Sequence, residues 1–314
     1  MADTLCLVVP CYNEQEVLPE TSTRLLAVLD NMVQNKLAND DSRILFVDDG
    51  SKDTTWSLIT KLSEEHKQIM GVKLSRNRGH QNALMAGLMT AKEFADVTIS
   101  LDADLQDDLG VLPEFMTNYY DGCDIVFGVR KDRSTDTAFK RGSAQSFYKL
   151  LKAFGVEVVF NHADYRLMSK RALESLAEFG EVNLFLRGIV MQIGYKTAKV
   201  EYDRGERFAG ESKYPLSKML QLAFDGITSF SIKPIRMITV LGMIIFLVSI
   251  AILIYSLIVN AMGHTVTGWT STMISVWILG GLQLLAIGVV GEYVGKVYME
   301  TKKRPKYIIE KIVK

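Results

Sequence analysis

Acidic side chains recur where short apolar runs end. Pro10-Cys11-Tyr12-Asn13-Glu14 closes and follows the first run, Asp48-Asp49-Gly50-Ser51 the second, and Asp102-Ala103-Asp104-Leu105-Gln106-Asp107 follows the fourth. Carboxylates gathered on one edge repel each other unless a cation or a donor-rich ligand sits among them, which points to a divalent metal or to a sugar and base. The i, i+2 spacing of Asp102 and Asp104 predicts two side chains on the same side of an extended segment. Two hard oxygen ligands suit Mg2+ or Mn2+, and a metal held by so few protein groups also binds phosphate oxygens. Cations supply the complement: Arg130 ends the fifth run, followed by Arg133, Lys140 and Arg141, and later by Arg207 and Lys213. Arginine grips phosphate as a fork and lysine as a point charge. There is no G-x-x-x-x-G-K-[ST] and no strand-associated G-x-G-x-x-G, so neither a phosphate loop nor a dinucleotide-binding turn accounts for the phosphates.

The elements that must carry these residues are legible as periodicity. Residues 5–10, 44–48, 72–74, 97–101 and 125–129 are short runs rich in Val, Ile and Leu, read as buried strands. Residues 16–35, 53–66, 79–94, 112–121 and 137–154 have helical spacing, with Asp53 as one start signal. Alternating strands and helices predict an α/β fold with a mostly parallel sheet covered on both faces. In such sheets ligands sit beyond the carboxyl ends of the strands, where the acids lie. Gly79-His80-Gln81-Asn82 opens the helix after the third strand; His80 reads as a capping or packing residue, with a donor to a nucleotide as the other reading. The four histidines form no ligand pattern. Cys6, Cys11 and Cys123 lack metal-ligand spacing and read as reduced and structural.

The chain has 314 residues, 48% of them hydrophobic, with 36 basic and 36 acidic side chains, which excludes a disordered or low-complexity protein. Residues 237–291 contain no Asp, Glu, Lys or Arg. Residues 237–261 and 273–293 are each long enough to cross a hydrocarbon layer of roughly 30 Å at about 1.5 Å per residue, and read as a transmembrane hairpin. Gly280, Gly281, Gly288 and Gly291 in the second allow close helix approach. Lys233 and Arg236 precede the first span and five basic residues follow the second by Lys306, so both flanks are expected in the cytoplasm, at an inner (plasma) membrane. Residues 213–233 read as an amphipathic segment lying in the interface, and residues 297–314 as a basic cytoplasmic tail. A basic tail binds nucleic acid or an anionic membrane; the apolar spans before it decide for the membrane.

Taken together, the motifs resemble glycosyltransferase family 2, in its membrane-anchored group of polyisoprenyl-phosphate glycosyltransferases, which includes the bactoprenol glucosyltransferases and dolichol-phosphate mannose synthases. The carrying residues are Val8-Val9-Pro10-Cys11-Tyr12-Asn13-Glu14, Val47-Asp48-Asp49-Gly50-Ser51-Lys52-Asp53, Asp102 to Asp107, Asp164-Tyr165-Arg166-Leu167-Met168, and Arg207-Phe208-Ala209-Gly210-Glu211-Ser212-Lys213-Tyr214. Asp108 stands where relatives commonly have proline, and the Q-x-x-R-W motif of processive synthases is absent, which favours single transfer. The resemblance implies a GT-A (Rossmann-like) catalytic domain over residues 1–212, followed by interfacial helices and the two-helix hairpin within 234–296. It implies Pro10, Tyr12, Glu14, Asp49 and Asp102 at the nucleotide. Asp102, Asp104 and Gln106 would gather at the metal, Mg2+ or Mn2+. Arg130, Arg141, Arg207 and Lys213 would meet the lipid phosphate. Asp164 matches the carboxylate proposed as catalytic base, beside Asp102, Asp104 and Arg130; orienting a sugar hydroxyl is its other task.

The expected reaction is inverting transfer of one hexose, UDP-glucose being the leading donor, to polyprenyl (undecaprenyl) phosphate for cell-envelope glycosylation. The same architecture using UDP-GlcNAc, GDP-mannose or an amino-pentose is the second reading. A non-catalytic, membrane-anchored nucleotide-sugar binding protein is the third. Expected partners are thus a nucleotide sugar, a polyprenyl phosphate and the membrane, with no nucleic acid; a homo-oligomer is left open.

Overall fold

The computed structural model describes residues 2–131, 162–181, 185–203, 233–262 and 268–314. Eight strands form a mixed sheet: β1 (Leu5–Cys11), β2 (Arg43–Asp48), β3 (Ile69–Leu74), β4 (Val97–Ser100), β5 (Ile125–Arg130), β6 (His162–Ser169), β7 (Thr197–Tyr202) and β8 (Ile309–Val313). Their order is β7-β5-β6-β4-β1-β2-β3-β8. The central strands β3, β2, β1 and β4 are mutually parallel, whereas β6 runs antiparallel to both β4 and β5.

Strict alternation in β1 explains the two layers. Leu5, Leu7 and Val9 face one core, shared with Leu18, Leu25, Leu29 and Met32 of α1 (Leu18–Gln34), Ile59 of α2 (Thr55–Glu65) and Phe115 of α4 (Leu112–Tyr120). Cys6 and Val8 face the other, shared with Ala83, Leu84 and Leu88 of α3 (His80–Ala91), Leu173 of α5 (Lys170–Ala177) and Ile189 of α6 (Leu186–Gln192). A strand buried on both faces reads as a continuous apolar run, as β1 does. The mostly parallel sheet with helices on both faces is the expected α/β architecture. Cys6, Cys11 and Cys123 are buried and free. Asp53 accepts the backbone N–H of Thr55, the first residue of α2, at 3.0 Å.

Three strands were not expected. β6 carries the Asp164 motif, and because it runs antiparallel to β4 its first residues lie at the carboxyl edge of the parallel strands. β7 adds the far edge beside β5. The segment expected as a basic tail is instead partly helical and partly strand: α8 (Trp269–Thr301) continues to residue 301, and β8 then pairs with β3. The Ser75 N–H donates to the carbonyl of Ile308 at 3.0 Å, and Lys306 Nζ to the carbonyl of Phe179 at 2.8 Å, fastening that return.

Two long helices, α7 (Lys233–Ala261) and α8, touch one another. Within α8, Leu279–Thr301 spans 23 residues at mean hydropathy 1.2 and is the one segment among the described residues that is both long and apolar enough to cross a membrane. It starts and ends later than the expected second span. Large apolar side chains on both helices are exposed, among them Met237, Tyr255, Leu284 and Ile287. The expected helix 137–154 falls outside the described residues, as does the amphipathic segment 213–233 up to residue 232, and with them Arg133, Lys140, Arg141, Arg207 and Lys213.

Candidate active site

At the carboxyl edge the ends of β1, β2 and β4 and the start of β6 meet. The loops after β1 and β2 are tied together: the N–H groups of Asn13 and Glu14 donate to Ser51 Oγ and Thr55 Oγ1, each at 2.9 Å, and Asn13 Oδ1 accepts from the Lys52 N–H. Pro10 is buried within β1 rather than in the loop, while Tyr12 and Glu14 are partly exposed beyond it. Gly50 has φ +67°, and a Cβ there would lie 2.6 Å from the backbone of Arg76 and Asn77, so only glycine lets the β3–α3 loop approach this closely.

Asp49 is 3% exposed. Its two carboxylate oxygens accept the backbone N–H groups of Arg78, at 2.7 Å, and Gly79, at 2.8 Å, so it holds the β3–α3 loop. Asp48 accepts the Ser51 N–H at 3.1 Å. Burial raises the pKa of both, against the opposing effect of these hydrogen bonds.

Asp102 and Asp104 follow β4 in a turn, with Leu105 at φ +58°, and Asp104 Oδ1 accepts the Gln106 N–H at 3.2 Å. The expected extended segment is therefore corrected: the chain bends here, and the period-two rule does not govern where these side chains point. The turn is propped from both sides, by Thr21 Oγ1 on the carbonyl of Ala103 at 2.8 Å and by Tyr165 Oη on the carbonyl of Asp108 at 2.9 Å. Beneath it Tyr202 Oη donates to Asp107 at 2.6 Å, and Arg130 Nε donates to Tyr202 Oη at 3.3 Å. Burial first, then the charge of Asp102, pushes the Asp107 carboxyl up to about 6.

The two carboxylates from β4 and β6 face a common cation. His80 Nε2 lies 3.0 Å from Asp102 Oδ1, and its Nδ1 lies 3.9 Å from Asp164 Oδ2. Arg187 Nη2 is 3.2 Å from Asp164 Oδ2, and Arg166 Nη2 is 3.6 Å from Asp164 Oδ1. Burial would lower the histidine's pKa, but the hydrogen bond and charge of Asp102 and the charge of Asp164 prevail and raise it to about 9. Burial would raise Asp164, but Arg187, His80 and Arg166 hold it well below the usual carboxylate range. Asp102 is likewise lowered by His80 against the opposing effect of burial.

Among the described residues no group of three or more His, Cys, Asp or Glu side chains is assembled to hold a metal. The donor set fits a hard cation whose remaining ligands come from a diphosphate and water: Asp102 keeps its side chain 39% exposed, and Asp104 and Gln106 are partly exposed beside it. His80, read from sequence as a cap or packing residue, and Arg187 are the site residues the sequence did not mark. Only the glycine before His80 hinted at an unusual helix entry, and nothing around Arg187 distinguishes it from a surface cation.

The family profile of Glycosyl transferase family 2 matches residues 6–177. The uncharacterized glycosyltransferase YkoT of Bacillus subtilis is 55% identical over 306 residues, covering 98% of this chain and 91% of that protein. The prophage bactoprenol glucosyl transferase homolog of Escherichia coli is 40% identical over 316 residues, covering 99% of both. Glucosyl-3-phosphoglycerate synthase of Mycobacterium tuberculosis, solved with Mn2+, UDP-glucose and phosphoglyceric acid, is 18% identical with a TM-score of 0.47 over 72% of this chain and 78% of that one, a likeness too loose to bear on substrate. With the doubly wound sheet and the acids at its carboxyl edge, the near full-length matches establish that the chain belongs to glycosyl transferase family 2 and is a glycosyltransferase of GT-A fold.

Proposed function

We propose that the protein transfers a single glucose from UDP-glucose to the phosphate of a polyprenyl lipid, with inversion and with a divalent metal, at the inner face of a membrane. The observation that carries this reading is the pairing of Asp102 and Asp164 across His80 at the carboxyl edge of the sheet, in a chain 40% identical to a bactoprenol glucosyl transferase homolog. Asp102 and Asp104, with Gln106, would hold Mg2+ or Mn2+. Such an ion, when bound, stabilises negative charge developing on the departing diphosphate.

The chain's own residues account for the rest. Tyr12 and Glu14 border the nucleotide side, and Asp49 shapes that side by fixing the loop of Arg78 and Gly79 rather than by facing the ligand. Arg130, anchored through Tyr202 to Asp107, stands at a strand end beside the acids and would grip phosphate. A phosphate monoester is already anionic near neutrality, its second pKa being about 6, so its attack needs orientation more than a base. Asp164, ringed by three cations, is a poor proton acceptor and suits orientation: it keeps His80 and Arg187 in place and can accept from a sugar hydroxyl.

The membrane reading gains support from α7 and α8. α7 has 29 residues, about 43 Å at 1.5 Å each, and exposes Met237 at 61% and Tyr255 at 65%; α8 exposes Leu284 at 73%. Uncovered apolar surface of this kind suits lipid, and among the described residues Leu279–Thr301 has both the length and the hydropathy to cross it. We read them as the hairpin that brings the site to the lipid phosphate, with the catalytic domain on the cytoplasmic side.

The test offers UDP- and GDP-sugars with a short polyprenyl phosphate and Mg2+ or Mn2+, and weighs the lipid product. A hexosyl phospholipid from UDP-glucose, β-linked by NMR and abolished by a chelator, is expected. No glycolipid from any donor in detergent or bilayer overturns the reading.

A further inference from the structure

We infer that His80 is a positioning residue for the transfer, standing between Asp102 and Asp164 so that the carboxylate proposed for the metal is held in fixed relation to the carboxylate proposed for the sugar. This rests on the reaction proposed above and adds to it a residue that neither the sequence motifs nor the relatives' names mark.

The bland roles do not describe this side chain. A capping histidine would turn its ring to the backbone at the start of α3, where Asp49 already accepts the Gly79 N–H. A packing histidine would be buried among apolar groups, whereas this side chain is 38% exposed and has a carboxylate beside each ring nitrogen. One carboxylate follows β4 and the other lies on the antiparallel β6, so the ring is the group that stands between them.

The bridge is held at its root and at both ends. Gly79, at φ +86°, turns the chain into α3, and Asp49 grips the Gly79 N–H from below, so the histidine leaves a fixed point. Asn82 reinforces that point, donating from Nδ2 to the carbonyl of Arg78 at 2.8 Å. At the far end, Arg187 and Arg166 hold the Asp164 carboxylate, and Ser100 Oγ donates to the Asp164 carbonyl at 2.5 Å. At the near end the Asp102 loop rests on Thr21 and Tyr165. A side chain so supported can fix the spacing of two reacting partners, and a misplacement of about 1 Å at such a centre costs on the order of a hundredfold in rate.

The experiment compares His80→Ala and His80→Gln in the full-length protein. For His80→Ala we expect kcat to fall roughly 10- to 100-fold while KM for UDP-glucose stays within about threefold and the thermal midpoint is unchanged. His80→Gln, whose amide nitrogen can still donate to Asp102, should recover part of the loss. A kcat for His80→Ala within about twofold of the parent overturns the inference, as does a KM effect without a kcat effect, or a drop in thermal midpoint shared by both variants. A readout independent of turnover uses the four histidines of the chain, labelled with 15N. Asp102→Asn and Asp164→Asn should each move the ring resonances of His80, and no movement in either overturns the bridge. If the parent makes no glycolipid from any donor, the reaction reading fails, while the spectra still decide whether His80 joins the two carboxylates.

Discussion

Two acidic regions lie along the same edge of the sheet and use the same residue for different ends. At the end of β2, Asp48 and Asp49 are buried and speak to backbone N–H groups, those of Ser51, Arg78 and Gly79. Across the end of β4 and the start of β6, Asp102 and Asp164 speak to charged side chains, those of His80, Arg187 and Arg166. The pKa shifts divide accordingly: burial lifts the first pair, and cationic neighbours depress the second. A carboxylate clasped by backbone shapes a loop, whereas one balanced against charged side chains leaves a charged surface for a ligand.

The contrast is broken most sharply at Asp102. Asp102→Asn keeps the shape of the half-exposed side chain and removes its charge, so turnover should fall roughly 10²- to 10³-fold with the thermal midpoint unchanged, measured as initial rates beside melting curves. Equal rates would place Asp102 with the structural acids. Next is Asp164→Ala, which strips Arg166 of its carboxylate; that guanidinium is 1% exposed, and its Nε and Nη1 have no hydrogen-bond partner among the described residues. Leaving a buried charge alone costs about 3–5 kcal/mol, so this variant should lose stability as well as activity, read as a lowered denaturation midpoint in detergent.

The smallest effect is also the most discriminating. For Asp164, whose folded pKa is depressed, the ionised form is favoured in the fold; its contribution to stability is full above the ordinary value of about 4 and fades as pH falls through the folded value. For Asp49, whose folded pKa is raised, the contribution is present below about 4 and fades as pH rises through the folded value. The stability gap between parent and Asp164→Asn should therefore shrink on acidification, and that between parent and Asp49→Asn should shrink on raising the pH. Denaturation midpoints across the acid range, showing slopes of the same sign, would erase the distinction.

The alternation of strands and helices was plain in the sequence because β1 to β5 are short apolar runs buried on both faces, and the expected strands match them to within a few residues. β6 was seen only as the motif Asp164-Tyr165-Arg166, since Asp164 and Arg166 interrupt its apolar run although the strand lies between β5 and β4 and is buried from Tyr165 to Met168. β8 escaped because Glu310 and Lys311 make it read as tail, though Glu310 pairs with Lys73 across the edge at 3.4 Å. The acids at Asp102 and Asp104 were legible as a cluster. Their relation to Asp164 was not, because it depends on the reversed direction of β6. Asp49 could not be sorted from Asp102 by type or spacing, since only burial separates an acid that clasps backbone from one that faces solvent. His80 had only the glycine before it as a signal and Arg187 none: each is a single residue made meaningful by where a distant strand begins or ends.

The pairing of residue 71 with residue 313 sets an order of events during synthesis. The ribosome must translate α7 and α8 before the partner of β3 exists, so the catalytic sheet carries an unpaired margin throughout their synthesis. An unpaired strand margin recruits other strands, so β3 is open to pairing with another chain until β8 arrives. Closure of the sheet at β3 therefore waits until both long helices have been made, with residues 309–313 as the latch.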